Sequence, residues 1–137
     1  MKEWIGVGPS AASQYQLLRY SNAADLTTWL SKTKTPADSR NEIQVLTEKN
    51  LLEDAVIFGL RLGTGISLNT LSQRFSTESI KGLIPFFRNL ADADLATFDD
   101  EDLLKLTLQG KLLADRIAVE LMGFMDTSFG EEIVEAI

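Results

Sequence analysis

The clearest pattern of apolar and polar positions starts at Glu48. Leu51, Leu52, Ala55, Val56, Phe58, Gly59 and Leu62 recur at helical spacing, with polar residues between them, and predict a helix from about Glu48 to Leu62 capped by Thr47. At 1.5 Å per residue it would be roughly 22 Å long. Gly63 and Gly65 break this run, and Ser67 is placed to cap a new helix over about Leu68–Phe75. Two helices meeting at a glycine-rich corner, GLRLGTGISL at 59–68, form the joint around which the rest is organised. Ile80, Leu83, Ile84, Phe87 and Leu90 follow at i, i+3, i+4, i+7 and predict a third helix. Pro85 fits best in its first turn. Two short apolar stretches, Leu95–Phe98 and Leu103–Leu106, flank the acidic run DDED and predict a β-hairpin with an acidic tip. Thr107 caps a last helix from Leu108 to about Gly123, with Leu113, Ile117, Leu121 and Phe124 on one stripe and Gly110 allowing close packing in its first turn.

The first third of the chain is less regular. EWIGVG at 3–8 predicts a short buried strand ending in a glycine turn, and the small residues of PSAASQY follow. Tyr15 to Tyr20 continue as extended or irregular chain. Asn22 is placed to cap a short helix, Ala23–Leu30, that carries Leu26, Trp29 and Leu30 inward. Residues 31–41 are polar, contain Pro36 and predict a linker, and Ile43–Leu46 predict a brief strand. The domain division expected is a segment and linker over 1–40, a helical domain over 41–125, and an acidic tail over 126–137. In the tail, Phe129, Ile133 and Ile137 at i, i+4, i+8 allow a turn or two of helix. The class expected is mainly α. The order helix, helix, helix, hairpin, helix is that of a winged-helix-like domain.

Composition narrows the chemistry. The chain has 137 residues, 45% of them apolar, enough for a real core. It has no cysteine and no histidine, so thiolate metal sites, iron–sulfur ligation and imidazole acid–base catalysis are excluded within it. Serines are plentiful, but no histidine can activate them, and no Lys or Asp stands out as a substitute base. Arg61, in its apolar context, is expected to pair with a carboxylate or with carbonyls at its helix end. The net charge of −7 opposes nucleic-acid and anionic-membrane partners. The third helix offers only Lys81 and Arg88 to a phosphate backbone, and the hairpin tip is acidic. The acidic residues 92–102 fail the calcium-loop spacing, because counting from Asp92 puts Thr97 where glycine is needed and Leu103 where glutamate is needed. No run approaches the length of a membrane span, and the start lacks a signal-peptide core, so a cytoplasmic location is expected.

Three stretches in order resemble one family. EWIGVGPSAASQYQLLRYSN at 3–22 resembles the segment after the catalytic barrel in oxygen-independent coproporphyrinogen III oxidase-like radical SAM proteins (HemN/HemW-like): G-x-G-x-x-A-x-S, with a Tyr and an Asn a few residues on. FGLRLGTGISL at 58–68 resembles the G-L-R-x-x-x-G-I core of that family's C-terminal domain, and LKLTLQGKLLADRI at 104–117 resembles its LT-x-x-G-x-L-L-x-x-x-I helix. Within the family, Arg19-Tyr20-Ser21-Asn22 is closer to the haem-chaperone branch and Ser10-Ala11-x-Ser13 to the oxidase. Ala12 stands where the chaperone branch commonly has histidine. The resemblance implies an N-terminal extension that completes a radical SAM barrel, with Ala12 against S-adenosylmethionine and Gly6, Gly8, Ser10 and Ser13 shaping the turn. It implies S-adenosylmethionine and a [4Fe–4S] cluster in a full-length parent, held by a CxxxCxxC motif this chain lacks. The chain itself would then hold no cofactor and no metal and be inactive alone. Its partner would be the parent's own barrel, with porphyrin or haem as ligands of the whole protein. Such a fragment would expose Trp4, Ile5 and Trp29. The alternative is a free-standing winged-helix module that binds protein.

Overall fold

In a computed structural model, which describes residues 3–32, 40–99 and 102–129, the chain divides into two compact units, Met1–Thr47 and Glu48–Ile137.

The first unit is built on a three-stranded antiparallel sheet, in the order β1–β2–β3, made by β1 (Ala12–Tyr15), β2 (Leu18–Asn22) and β3 (Arg40–Val45). The β1–β2 turn is two residues long, and both Gln16 and Leu17 have positive φ (50° and 61°). A tight hairpin needs that conformation to match strand twist, usually from glycine or asparagine. Tyr15–Tyr20, expected as extended or irregular chain, is therefore the hairpin itself. Arg40–Val45 lengthens the brief strand expected at Ile43–Leu46, and it belongs to this first unit. Three expectations are corrected here. EWIGVG is not a buried strand: Trp4 alone pairs, with Gln14, and Trp4, Ile5 and Val7 are exposed. One backbone bridge covers neither face of the segment. Asn22 does not cap the helix, because it is the last residue of β2. The helix α1 runs from Leu26 to Lys32, and the Asp25 carboxylate accepts the Thr28 amide at 2.7 Å in the capping position. Nothing on α1 is buried; Leu26 and Leu30 are exposed and Trp29 is half-buried. Pro36 lies outside the described residues.

The second unit is helix-rich, with one small sheet. Its elements are α2 (Glu48–Arg61), β4 (Ile66–Ser67), α3 (Leu68–Ser72), α4 (Thr77–Asp92), β5 (Ala96–Phe98), β6 (Leu103–Leu106), α5 (Leu108–Leu112) and α6 (Ala114–Phe129). The antiparallel sheet has the order β4–β6–β5, so the strand from the glycine joint lies on the outer side of the hairpin. Three hydroxyl caps start helices: Ser67 accepts from the Thr70 amide, Ser76 from Ser79 and Thr107 from Gly110. The core gathers Leu52, Val56, Leu83, Phe87, Leu104, Ile117, Leu121 and Met125, each under 2% exposed. Ion pairs Lys49–Asp126 and Arg61–Asp115 join opposite ends of α2 and α6, so the two helices run antiparallel.

Here too the structure departs from the pattern. Phe58 and Leu62 are exposed, and Ile57 and Leu60 are buried in their place. Pro85 lies inside α4, not in its first turn. It is tolerated because it sits on the exposed face beside Lys81, whose carbonyl can turn to water, while Phe86 and Phe87 next to it fill the core. The last helix is two helices: the chain bends at Leu113, and α6 continues through Gly123 to Phe129. The chain's regular structure is thus mainly helical only in the second unit. Of the acidic tip, Asp99 and Asp102 are described; Asp100, Glu101, and Ile133 and Ile137 of the tail lie outside the described residues.

Candidate functional site

The turn at residues 6–13 is held by bonds that all come from the first unit. The Gly6 amide donates to Ser13 Oγ at 3.0 Å. Asn22 Nδ2 donates to the carbonyls of Gly8 (2.9 Å) and Gly6 (3.3 Å). The Ser10 amide reaches the Ala23 carbonyl and the Asn22 amide reaches that of Ala11. Gly6 passes so close to β1 that a Cβ added there would lie 2.3 Å from the Ala12 oxygen. Only glycine permits that crossing. Gly8 (φ 107°) and Ser10 (φ 58°) hold left-handed backbone, which costs a non-glycine residue roughly 1–2 kcal/mol. That conformation persists because the surrounding bonds over-determine it.

The five residues singled out in sequence fall into two groups that share Ala12, through its carbonyl in one and its exposed side in the other. Gly6, Ala12 and Ser13 are brought into contact, and Ser13 is buried. Gly8, Ser10 and Ala12 present the outer side of the turn: Ser10 and Ala12 are exposed, and a Cβ on Gly8 would meet nothing within 4 Å. Sequence reasoning missed Asn22 as the clamp, having assigned its amide to a helix cap. The only signal was an asparagine a few residues past a G-x-G. The sheet behind the turn is pinned by Arg19, which donates twice to buried Gln14 Oε1 (2.6 and 3.3 Å), and by Arg40 lying over the Tyr20 ring.

This arrangement offers backbone and small side chains to a ligand and no acid, base or activated nucleophile. Its Ser13 hydroxyl is occupied in holding the turn. A [4Fe–4S] cluster finds no ligand among these residues, because the chain has no cysteine. The acidic hairpin is structural: Asp99 accepts the Leu103 amide and pairs with Lys105. Among the described residues no three Asp, Glu, His or Cys side chains gather as a metal site, and no helix is long and apolar enough to cross a membrane.

The two units together define a glycine-turn sheet followed by a helix-rich domain with a small antiparallel sheet. No family model matches the chain, and no curated protein matches it. Among solved structures it is similar to coproporphyrinogen III oxidase (HemN) from Escherichia coli, a radical SAM enzyme, with a TM-score of 0.60 and 22% identity. The likeness covers 85% of this chain and 27% of that one, so the chain spans about a quarter of that enzyme's length. At this identity the likeness is one of fold.

Proposed function

We propose that this chain is the C-terminal accessory portion of an oxygen-independent coproporphyrinogen III oxidase-like radical SAM protein. The observation that carries the reading is the fold likeness to HemN over 85% of the chain; the three ordered motifs point the same way. The order α2–β4–α3–α4–β5–β6, with the outer strand from the joint, supports a winged-helix reading of the second unit. The turn at Gly6–Ser13 supplies one flank of an S-adenosylmethionine site whose remainder belongs to a barrel. The chain helps shape access of a porphyrin or haem-type ligand to that barrel. The cluster and S-adenosylmethionine supply the radical chemistry of the whole protein, and the residues here hold backbone in place beside them.

Two measurements test this. In equilibrium dialysis the isolated chain binds S-adenosylmethionine weakly or not at all, since one flank buries little of a ligand. Tight, stoichiometric binding by the chain alone would overturn the flank assignment. A HemN chimera carrying this chain in place of its matching quarter keeps S-adenosylmethionine cleavage. A folded, cluster-loaded chimera without that cleavage refutes the family reading.

A further inference from the structure

Where the end of α2, the end of β6 and the α5–α6 bend meet, the surface dips into a cleft of about 370 Å³. Leu60, Leu106 and Ala114 line it, and so do Arg61, Lys111 and Asp115. Leu60 and Leu106 are buried, so they form its floor; Arg61, Lys111 and Asp115 are exposed at its rim. Two cations against one carboxylate reverse, at this spot, the sign of a chain whose net charge is −7. Arg61 Nη2 donates to Asp115 Oδ1. With its side chains 48% and 93% exposed the pair adds little to stability, but it holds the guanidinium at the cleft. A guanidinium has five N–H donors, and this bond uses one nitrogen.

We propose that this cleft binds an organic carboxylate with an apolar body. The carboxylate meets Lys111 and the outward donors of Arg61, and the hydrocarbon rests on Leu60, Leu106 and Ala114. A volume of this size lies at the small end of ligand sites and suits a body of about ten heavy atoms. Neither half suffices: exposed charges are screened by salt, and an open apolar floor alone does not select. Asp115 competes with the ligand for Arg61. The same chemistry is offered by a free carboxylic acid and by the carboxyl terminus of an apolar peptide. This inference is independent of the radical SAM reading and stands or falls on its own experiment.

The experiment is a titration of the ¹⁵N-labelled full chain, followed by amide shifts, with octanoate, its neutral counterpart octanol, and acetate. Octanoate should move the amides of Leu60, Arg61, Leu106, Lys111 and Ala114, binding about tenfold or more tighter than octanol or acetate. Lys111→Met should weaken octanoate roughly 3- to 10-fold. Asp115→Asn should tighten it severalfold, a direction a merely structural ion pair does not predict. Both substitutions are on the surface, so the fold survives them. Equal binding of octanol removes the anion requirement and overturns the proposal. So does equal binding of acetate, or the absence of shifts at these residues at 10 mM octanoate, about the weakest binding the proposal allows. Acetyl-Leu-Leu-Leu with a free carboxyl, compared with its amide, decides the source: a preference for the acid peptide over octanoate supports a protein terminus, and the reverse supports a free acid.

Discussion

Gly65→Ala isolates what the glycine joint does. Gly65 has φ of 82°, and a Cβ built on it lies 2.6 Å from the Leu104 oxygen and 2.6 Å from Lys105 Cγ. The lysine methylene can swing aside. The Leu104 oxygen cannot, because Leu104 is fully buried and β6 is pinned by its pairing with Ile66 of β4 and Phe98 of β5. The left-handed backbone costs alanine roughly 1–2 kcal/mol, and forcing the strand away adds about 1–3 kcal/mol. The sum, ~2–5 kcal/mol, lowers Tm by roughly 10–20 °C or more in a unit of this size. Gly63→Ala is the control two residues away. Its backbone is not left-handed and nothing lies within 4 Å of the added methyl, so the change should be neutral or stabilise by up to about 1 kcal/mol by restricting the unfolded chain. Helix loss followed by circular dichroism, on heating and in urea, measures both, since most of the described helix belongs to this unit. If the two variants melt together, or Gly65→Ala stays within about 0.5 kcal/mol of the parent, the joint is not held by that close approach.

Two other outcomes are expected. Asn22→Ala removes both bonds to the Gly6 and Gly8 carbonyls, a local loss of about 1–2 kcal/mol, so the Gly6 amide should exchange with solvent roughly tenfold faster; unchanged exchange would show that Ser13 holds the turn unaided. Glu48 and Glu53, on the same helix, should respond to pH in opposite senses. The Ser76 amide, with help from the Ser76 and Ser79 side chains, holds the Glu48 carboxyl below its ordinary value. Its stabilisation is therefore present above the unfolded carboxylate pKa and is lost as pH falls through the depressed folded value. Burial pushes Glu53 up, against the attraction of Lys49 and a bond from Asn50 and with the repulsion of Asp126 and Asp54. The fold thus disfavours its ionised form at neutral pH, and that penalty disappears below the unfolded value. Glu48→Gln should lower Tm at pH 7 and Glu53→Gln raise it, each by less than the equivalent of ~1 kcal/mol at these partly exposed sites. Both differences should shrink as pH falls toward 3, that of Glu53 first and that of Glu48 only as pH passes its depressed folded value. Thermal melts at the two pH values decide it, and shifts of the same sign would be contrary.

Some of the candidate site was legible in sequence and some was not. The small-residue turn at Gly6–Ser13 could be read because close backbone approach admits few residue types, and Gly6 against the Ala12 oxygen is such an approach. Asn22 could not be read as its clamp. A helix cap and a turn clamp ask the same side chain for different partners, and here the chain continues as β2 because β3 pairs alongside it. Arg61 reads as pairing with a carboxylate or with carbonyls at its helix end; the structure selects a carboxylate, and nothing local named Asp115, 54 residues on. Nor could the pattern show that Lys111 opens onto the same cleft.

By itself the amino-acid order determined what acts over a few residues: the hydroxyl caps at Ser67 and Thr107, the helical periods, the hairpin around Asp99–Asp102, the break at the glycines, and the absence of thiolate and imidazole chemistry. Only the tertiary structure decided which side of each element is covered. On α2, Phe58 and Ile57 are equally apolar neighbours, and packing against α6 and the small sheet chose Ile57 for the core and left Phe58 in water. It chose likewise to keep Pro85 on the wet face of α4, and left Ile5 and Val7 exposed. Caps and periods depend on contacts within one turn, whereas burial depends on a partner surface that arrives from far along the chain.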